Sequence, residues 1–299
     1  MSARDDIVAA FSLDGAPVRG RIARLGRGSV SPILDRHNYP RPVALLLGEA
    51  IALAALVGSL LKADGRLVVQ AQGKGEVPLL MAEHRAGGYL RGYARLADGA
   101  AARLSGHGRM PPGDLLGAGA LVMTLDQGED KTTHQGVVAL GGETLAQCAE
   151  AYFAESEQTP TRVRLAVGEM DGAAGHSWRA GGALIQRVAG DAARGETQED
   201  WSRASILFES VEDAELVDPD LAAERVLYRL FHEENVRMAA PAQLIDHCGC
   251  DRDRLAAVLQ RFSANELSDL TEPDGAIHAR CQFCARTYRI APDEVGIGD

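Results

Sequence analysis

The chain has 299 residues, of which 46% are hydrophobic and 24% charged. That is enough apolar material for folded cores and about two domains, so a wholly disordered chain is excluded. The net charge of −11 argues against a protein that tracks nucleic-acid phosphates, because such proteins need clustered positive charge. The basic residues are 28 Arg and 3 Lys, a skew that reads as genomic composition.

The N-terminal MSARDD carries Asp5 and Asp6 where a secretory leader would be basic, so a cytoplasmic protein is expected. Residues 5–42 read as strands, and VRGRIARL at 18–25 alternates apolar and polar with the period of a half-buried strand. Residues 43–61 are apolar enough to span a bilayer, but Glu49 near their middle would cost about 2.5 kcal/mol or more there. A buried core helix with no membrane contact is the expectation. Short β-type runs follow at 66–72, 76–83, 89–96, 120–127 and 133–140, broken by glycine turns, which suggests antiparallel sheet.

From Gly142 to Ser156 the pattern is helical, with Leu145, Cys148, Ala149 and Tyr152 on one face. Cys148 reads as a small buried hydrophobe. Strands return at 162–168 and 183–189. Strands with inserted helices make an α+β core domain over 1–195.

Residues 196–240 differ in charge. Between Glu196 and Glu234 lie 12 acids and 3 arginines. Trp201, Ile206, Leu207 and Phe208 are interspersed among the acids. Asp218-Pro219 has the form of a helix start, with Asp as the cap and Pro at the first position. Ala223, Val226, Leu227, Leu230 and Phe231 form an apolar stripe at helical spacing. A helix with an apolar face and a heavy like-charge load is marginal alone, so this acidic helical linker is expected to dock on a neighbour and to be metastable.

The third unit, 241–299, contains Cys248-Gly249-Cys250 and, after 30 intervening residues, Cys281-Gln282-Phe283-Cys284. Two close pairs on one small module suit tetrahedral Zn²⁺, which takes four thiolates. His247 and His278 lie nearby, but four cysteines already complete the shell. Arg252, Arg254, Arg280, Arg286 and Arg289 cluster around the pairs, positioned to neutralise a four-thiolate site of net charge −2. Residues 252–262 are helix-like, Ser263 to Glu266 fits a capping box, and 277–290 fits a hairpin turning at its cysteines. So small a unit cannot bury much surface, so a staple is expected.

Catalytic signatures are weak. The chain has no GxxxxGK[ST], GxSxG or HExxH, and Gly73-Lys74-Gly75 lacks the rest of a phosphate loop. His232 and Glu234 give an H-x-E upstream of Cys-x-x-Cys, as in zinc deaminases, but Arg280 stands where that signature has Pro. A closed four-thiolate site leaves no open position for substrate, so no enzyme is expected.

The chain resembles the 33-kDa heat-shock protein family, redox-regulated bacterial holdase chaperones. The resemblance rests on the Cys248/Cys250 and Cys281/Cys284 pairs, YFAESEQTPT (152–161), Gly181-Gly182 with Gln186, and THQGVVALGGETLAQ (133–147). The family often has Pro where this chain has Ala189. The resemblance implies one Zn²⁺ per chain in the reduced, inactive state. It also implies that oxidation forms disulfides Cys248–Cys250 and Cys281–Cys284, ejects zinc, unfolds the module and linker, and lets a homodimer hold unfolding client proteins without ATP. A structural zinc contributes ~10–16 kcal/mol to such modules. A disulfide closing a three- or four-residue loop restricts the unfolded chain by only roughly 1.6–2 kcal/mol, so two such bridges do not replace the metal. If the acidic linker packs on that module, it then loses its partner. A zinc-ribbon-like nucleic-acid or protein assembly module on an α+β domain is the alternative, supported by the arginines at 280–289 and opposed by the acidic linker.

Overall fold

The computed structural model describes residues 5–14, 16–61, 65–128, 133–141, 144–172, 175–188 and 198–295. Ala189 and the 195/196 boundary lie outside them. In chain order the elements are β1 (Ile7–Leu13), β2 (Val18–Leu25), α1 (Val30–Asp35), α2 (Arg41–Gly58), β3 (Arg66–Gly73), β4 (Leu79–Arg85) and β5 (Tyr89–Arg95). Next come α3 (Ala100–Arg103), α4 (Pro112–Leu116), β6 (Gly119–Asp126), β7 (His134–Ala139), α5 (Leu145–Glu155), β8 (Thr161–Gly172) and β9 (Gly175–Arg187). The acidic stretch folds as α6 (Gln198–Glu209), α7 (Asp213–Val217) and α8 (Ala223–Phe231). Short strands β10 (Val236–Met238), β11 (Ala242–Gln243) and β12 (Ile245–Asp246) precede α9 (Arg252–Leu259), α10 (Ala264–Asp269) and the β13 (Ile277–Arg280) and β14 (Thr287–Ile290) pair. The chain divides into one unit ending at Asp246 and a second beginning at His247.

The fold is α+β. In the first unit, one sheet has the order β10-β1-β2-β9-β8, with β11 also on β1. The other has the order β12-β5-β4-β3-β6-β7, antiparallel except for the parallel β12–β5 pair. Helix α2 packs against strands of both sheets. All its residues except Arg41 are buried, Glu49 included. Glu49 meets Arg109, whose Nη2 also donates to Val167 O at 3.2 Å. Burial raises the Glu49 pKa against the pull of that arginine. The apolar run at 43–61 is thus largely core helix, although it is long enough to cross a membrane.

Period-2 alternation splits the first sheet between two cores. Val8, Ala23, Leu25, Val163, Leu165 and Leu184 face the α2 side. Ile7, Phe11, Ile22, Ala183 and Ile185 face the opposite side. There they meet Trp201, Ala204 and Phe208 of α6, Leu216 of α7, and the full Ala223-Val226-Leu227-Leu230-Phe231 stripe of α8. Phe11 and Phe231 stack with ring centroids 5.9 Å apart. The acidic helices therefore bury their apolar faces on the first unit's own sheet. That sheet is the neighbour on which the linker was expected to dock. The physical reason is that this sheet presents a second apolar face, which a helical layer must cover.

Three local expectations also change. Residues 30–35 form a helix, not a strand. Helix α8 starts at Ala223, while Asp218 ends α7 and donates its N–H to Ala214 O. Strand β9 begins at Gly175, well before the expected 183. Helix α5 starts at its capping box, with Thr144 Oγ1 accepting from Gln147 N at 3.2 Å, and buries Cys148.

Candidate metal centre

The second unit has a small core. Its buried apolar cluster is Leu259, Leu267, Ile277, Ile290 and Val295, with Leu255 and Ala256 packed beside it. So few side chains stabilise a fold by only a few kcal/mol, which leaves room for a staple.

Cys248 and Cys250 lie between β12 and α9. Asp251 caps α9 immediately after Cys250, its Oδ1 accepting from Arg254 N at 2.9 Å. Cys281 and Cys284 lie in the turn between β13 and β14. Cys281 N donates to Arg286 O and Ala285 N donates to Cys281 O, both at 2.9 Å. Ala285 closes this turn with a left-handed φ of 57°. The capping box at Ser263 and Glu266 forms as expected and opens α10.

These two turns bring all four thiols together, with every sulfur within 4.8 Å of the others. Cys248 Sγ lies 3.8 Å from Cys281 Sγ, and Cys250 Sγ lies 3.3 Å from Cys284 Sγ. Four sulfurs each ~2.3 Å from one tetrahedral ion stand about 3.8 Å apart, so this donor set fits a metal that prefers thiolates. Both short approaches run across the sequence pairs.

Tyr288 is the residue that sequence reasoning missed. Its hydroxyl lies 3.2 Å from Cys250 Sγ and donates to Cys250 O at 3.1 Å. Nothing in the sequence signals a tyrosine that meets a cysteine 38 residues earlier. Burial opposes ionisation of Cys250, yet hydrogen bonds led by that of Tyr288 hold its pKa down at about 7. Burial pushes Cys284 up to about 12, so within this pair one proton leaves easily and the next is retained.

The expected arginine collar is mostly engaged elsewhere. Arg252 pairs with Glu294 at 2.6 Å, Arg254 with Asp251 at 3.2 Å and Arg289 with Asp274 at 3.4 Å. Arg286 is the exception: its Nη1 reaches Tyr288 Oη at 3.5 Å, and that hydrogen bond, with smaller help from Cys284 and Cys250, raises its pKa. His278 Nε2 bonds Asp274 at 2.9 Å, and the ligand cluster consists of the four cysteines. Glu234 is held by Arg203 at 2.6 Å, and His232 Nδ1 lies 3.2 Å from Tyr228 O, so the H-x-E pair is occupied within the first unit.

A family model described as Hsp33 protein matches residues 6–291. The chain is 52% identical over 290 residues to a 33 kDa chaperonin of Caulobacter vibrioides, covering 96% of this chain and 95% of that one. A 33 kDa chaperonin of Pseudomonas paraeruginosa is 40% identical over 95% of this chain and 91% of its own length. The crystal structure of the Thermotoga maritima 33 kDa chaperonin matches with a TM-score of 0.77 at 23% identity, covering 97% of this chain and 96% of that one, and so shares the fold. The family match across nearly the whole length, together with 52% identity to a relative, places the chain in the Hsp33 protein family.

Proposed function

We propose that this protein is a redox-regulated, ATP-independent holdase chaperone whose switch is the four-cysteine cluster. Its membership of the Hsp33 family supports the chaperone activity. The observation that carries the switch is the convergence of Cys248, Cys250, Cys281 and Cys284 within 4.8 Å on a unit with so small a core. In the reduced state these four residues hold one Zn²⁺, which supplies about 10 kcal/mol or more of folding free energy. Oxidation to Cys248–Cys250 and Cys281–Cys284 removes the ligands, and the 241–299 domain unfolds.

The 196–240 linker is the second part of the switch. Releasing α6–α8 from the 1–195 core bares two apolar surfaces, the sheet face around Phe11 and Ile22 and the helix stripe around Phe231. Dense negative charge beside exposed apolar surface binds unfolding chains while keeping the complex soluble. The protein thus acts by holding, without catalysis, on unfolding cytoplasmic clients, and the oxidised form works as a homodimer. Neither nucleic acid nor membrane is part of this reading.

The test is light scattering of a heat-unfolded client, with reduced and peroxide-treated protein compared and zinc release followed by a chromogenic chelator. Suppression only after oxidation, in step with about one zinc per chain released, supports the reading. Equal suppression by both forms contradicts it.

A further inference from the structure

We propose that Tyr288 is a positioning residue for the redox reaction: its hydroxyl, hydrogen-bonded to Cys250, restrains that sulfur's attack on peroxide and so sets how much oxidant the site withstands. This rests on the metal and redox reading above.

Tyr288 stands on β14 opposite Ala279 of β13, so the hairpin register fixes its place. Its Oη lies 3.2 Å from Cys250 Sγ and 3.1 Å from Cys250 O. The phenol has one proton, given to Cys250 O here; a Cys250 thiolate, which can only accept, competes for it from 3.2 Å. Arg286 Nη1 donates to the same oxygen at 3.5 Å, which polarises the hydroxyl and strengthens it as a donor. One hydroxyl thus ties the sulfur and the backbone of Cys250 to the hairpin that carries Cys281 and Cys284.

The chemistry follows from where the charge moves. A Cys250 thiolate attacking hydrogen peroxide forms an S–O bond as the O–O bond breaks. Hydroxide leaves and takes a proton from solvent, and the sulfur is oxidised by two electrons to a sulfenic acid. A neighbouring thiolate then forms the S–S bond as the S–O bond breaks, and a second hydroxide is protonated. Two thiolates, one peroxide and two protons give one disulfide and two waters. In the first step negative charge leaves sulfur for the departing oxygen. A hydrogen bond aimed at the sulfur therefore stabilises the thiolate more than the transition state and slows the attack. The Tyr288 proton is not consumed.

The experiment compares wild type with Tyr288→Phe, which keeps the ring and removes the donor, and with Arg286→Gln, which keeps the donor and removes its polarising partner. Three readouts are taken: the rate of zinc release by peroxide, the site of first sulfenic acid trapping by peptide mapping, and the sulfur-to-cobalt charge-transfer band of the Co²⁺-loaded protein. Tyr288→Phe should bind one metal yet release it about tenfold faster, within the range seen for lost outer-sphere hydrogen bonds. Trapping should shift toward Cys250 and the band should move to lower energy, with Arg286→Gln falling between. Equal release rates and an unmoved band would overturn the proposal, as would acceleration spread evenly over all four cysteines, which marks mere loosening. If the reduced wild type holds no metal, the metal reading fails. Cys250 alkylation in that reduced protein, compared with and without the Tyr288 hydroxyl at the high-pH plateau where the thiol is fully ionised, then decides the role of Tyr288 by the same criterion of selective acceleration.

Discussion

Arg24 on β2 donates from Nη1 to the main-chain oxygen of Glu215 in α7 at 3.1 Å. Its Nη2 reaches Asp218 O, and Arg179 of β9 donates from Nε to Val217 O at 2.6 Å. Two arginines buried in the sheet thus cap the carbonyl end of a linker helix, where the helix dipole favours cations. Asp5 offsets their charge, meeting Arg179 Nη1 at 2.8 Å. The acidic linker is therefore attached to the core by polar bonds as well as by its apolar stripe.

Removing this attachment should activate the protein without touching the cysteines. Arg24→Met strips the cap from two partly buried carbonyl contacts, which costs about 1–3 kcal/mol. Limited proteolysis should open the chain around α6–α8, and client aggregation should fall under reducing conditions with zinc content unchanged. Unchanged protection of α6–α8 would separate the arginines from linker docking.

Gly181 provides a backbone test of the same contact. A Cβ there would stand 2.1 Å from Leu216 O, a main-chain atom that cannot swing aside. Gly181→Ala should therefore push α7 off the sheet while leaving the second unit and its metal content as they are. Hydrogen exchange at α7 faster than in wild type, with the β2–β9 ladder still protected, is the expected result.

The reach of the sequence differs by element. The cysteine cluster was legible because two closely spaced pairs announce four ligands, and β2 was legible because its residues alternate cleanly. Helix α1 has only six residues and no acidic or basic end signal, so it passed for strand. The first half of β9 hides behind Gly175, Gly181 and Gly182. The stripe of α8 is legible as a face that something must cover, but a stripe does not say what covers it; its partner is the sheet face around Phe11. The arginines near the cysteines were readable as a cluster. Their pairing with Asp251, Asp274 and Glu294 depends on how the turns fold.

Acid should weaken the first unit through His84. Its ring is buried against Gly58, where a Cβ would lie 2.4 Å from Nδ1, and burial pushes its pKa down to about 4. The unfolded chain binds this proton at ordinary histidine pKa and the folded one does not. Stability is therefore full above about pH 6.5 and falls as pH drops toward 4, by about 2 kcal/mol at pH 5. Thermal melts at pH 7.5 and 5 should show this component in wild type and lose it in His84→Leu. An equal pH slope in both proteins would assign the loss to other groups.

Oxidation chemistry also has a testable connectivity. The 3.8 Å Cys248–Cys281 and 3.3 Å Cys250–Cys284 approaches make cross-pair bridges sterically accessible. Either bridge alone closes a loop of more than 30 residues and restricts the unfolded chain by roughly 3.7 kcal/mol, which would keep the module compact. Within-pair bridges close only a few residues and let it unfold. Peptide mapping of the active oxidised protein should find Cys248–Cys250 and Cys281–Cys284, and predominant cross-pair bridges would contradict unfolding as the switch.

The most direct measurement is hydrogen exchange of the full chain, followed segment by segment before and after peroxide treatment, alongside zinc release. The account predicts that α9, α10 and the β13–β14 hairpin lose protection as zinc leaves, that α6–α8 follow, and that α2 and the β2–β9 ladder stay protected while client aggregation is suppressed. Suppression that appears while α6–α8 keep their full protection would contradict the claim that the cysteine site controls the linker.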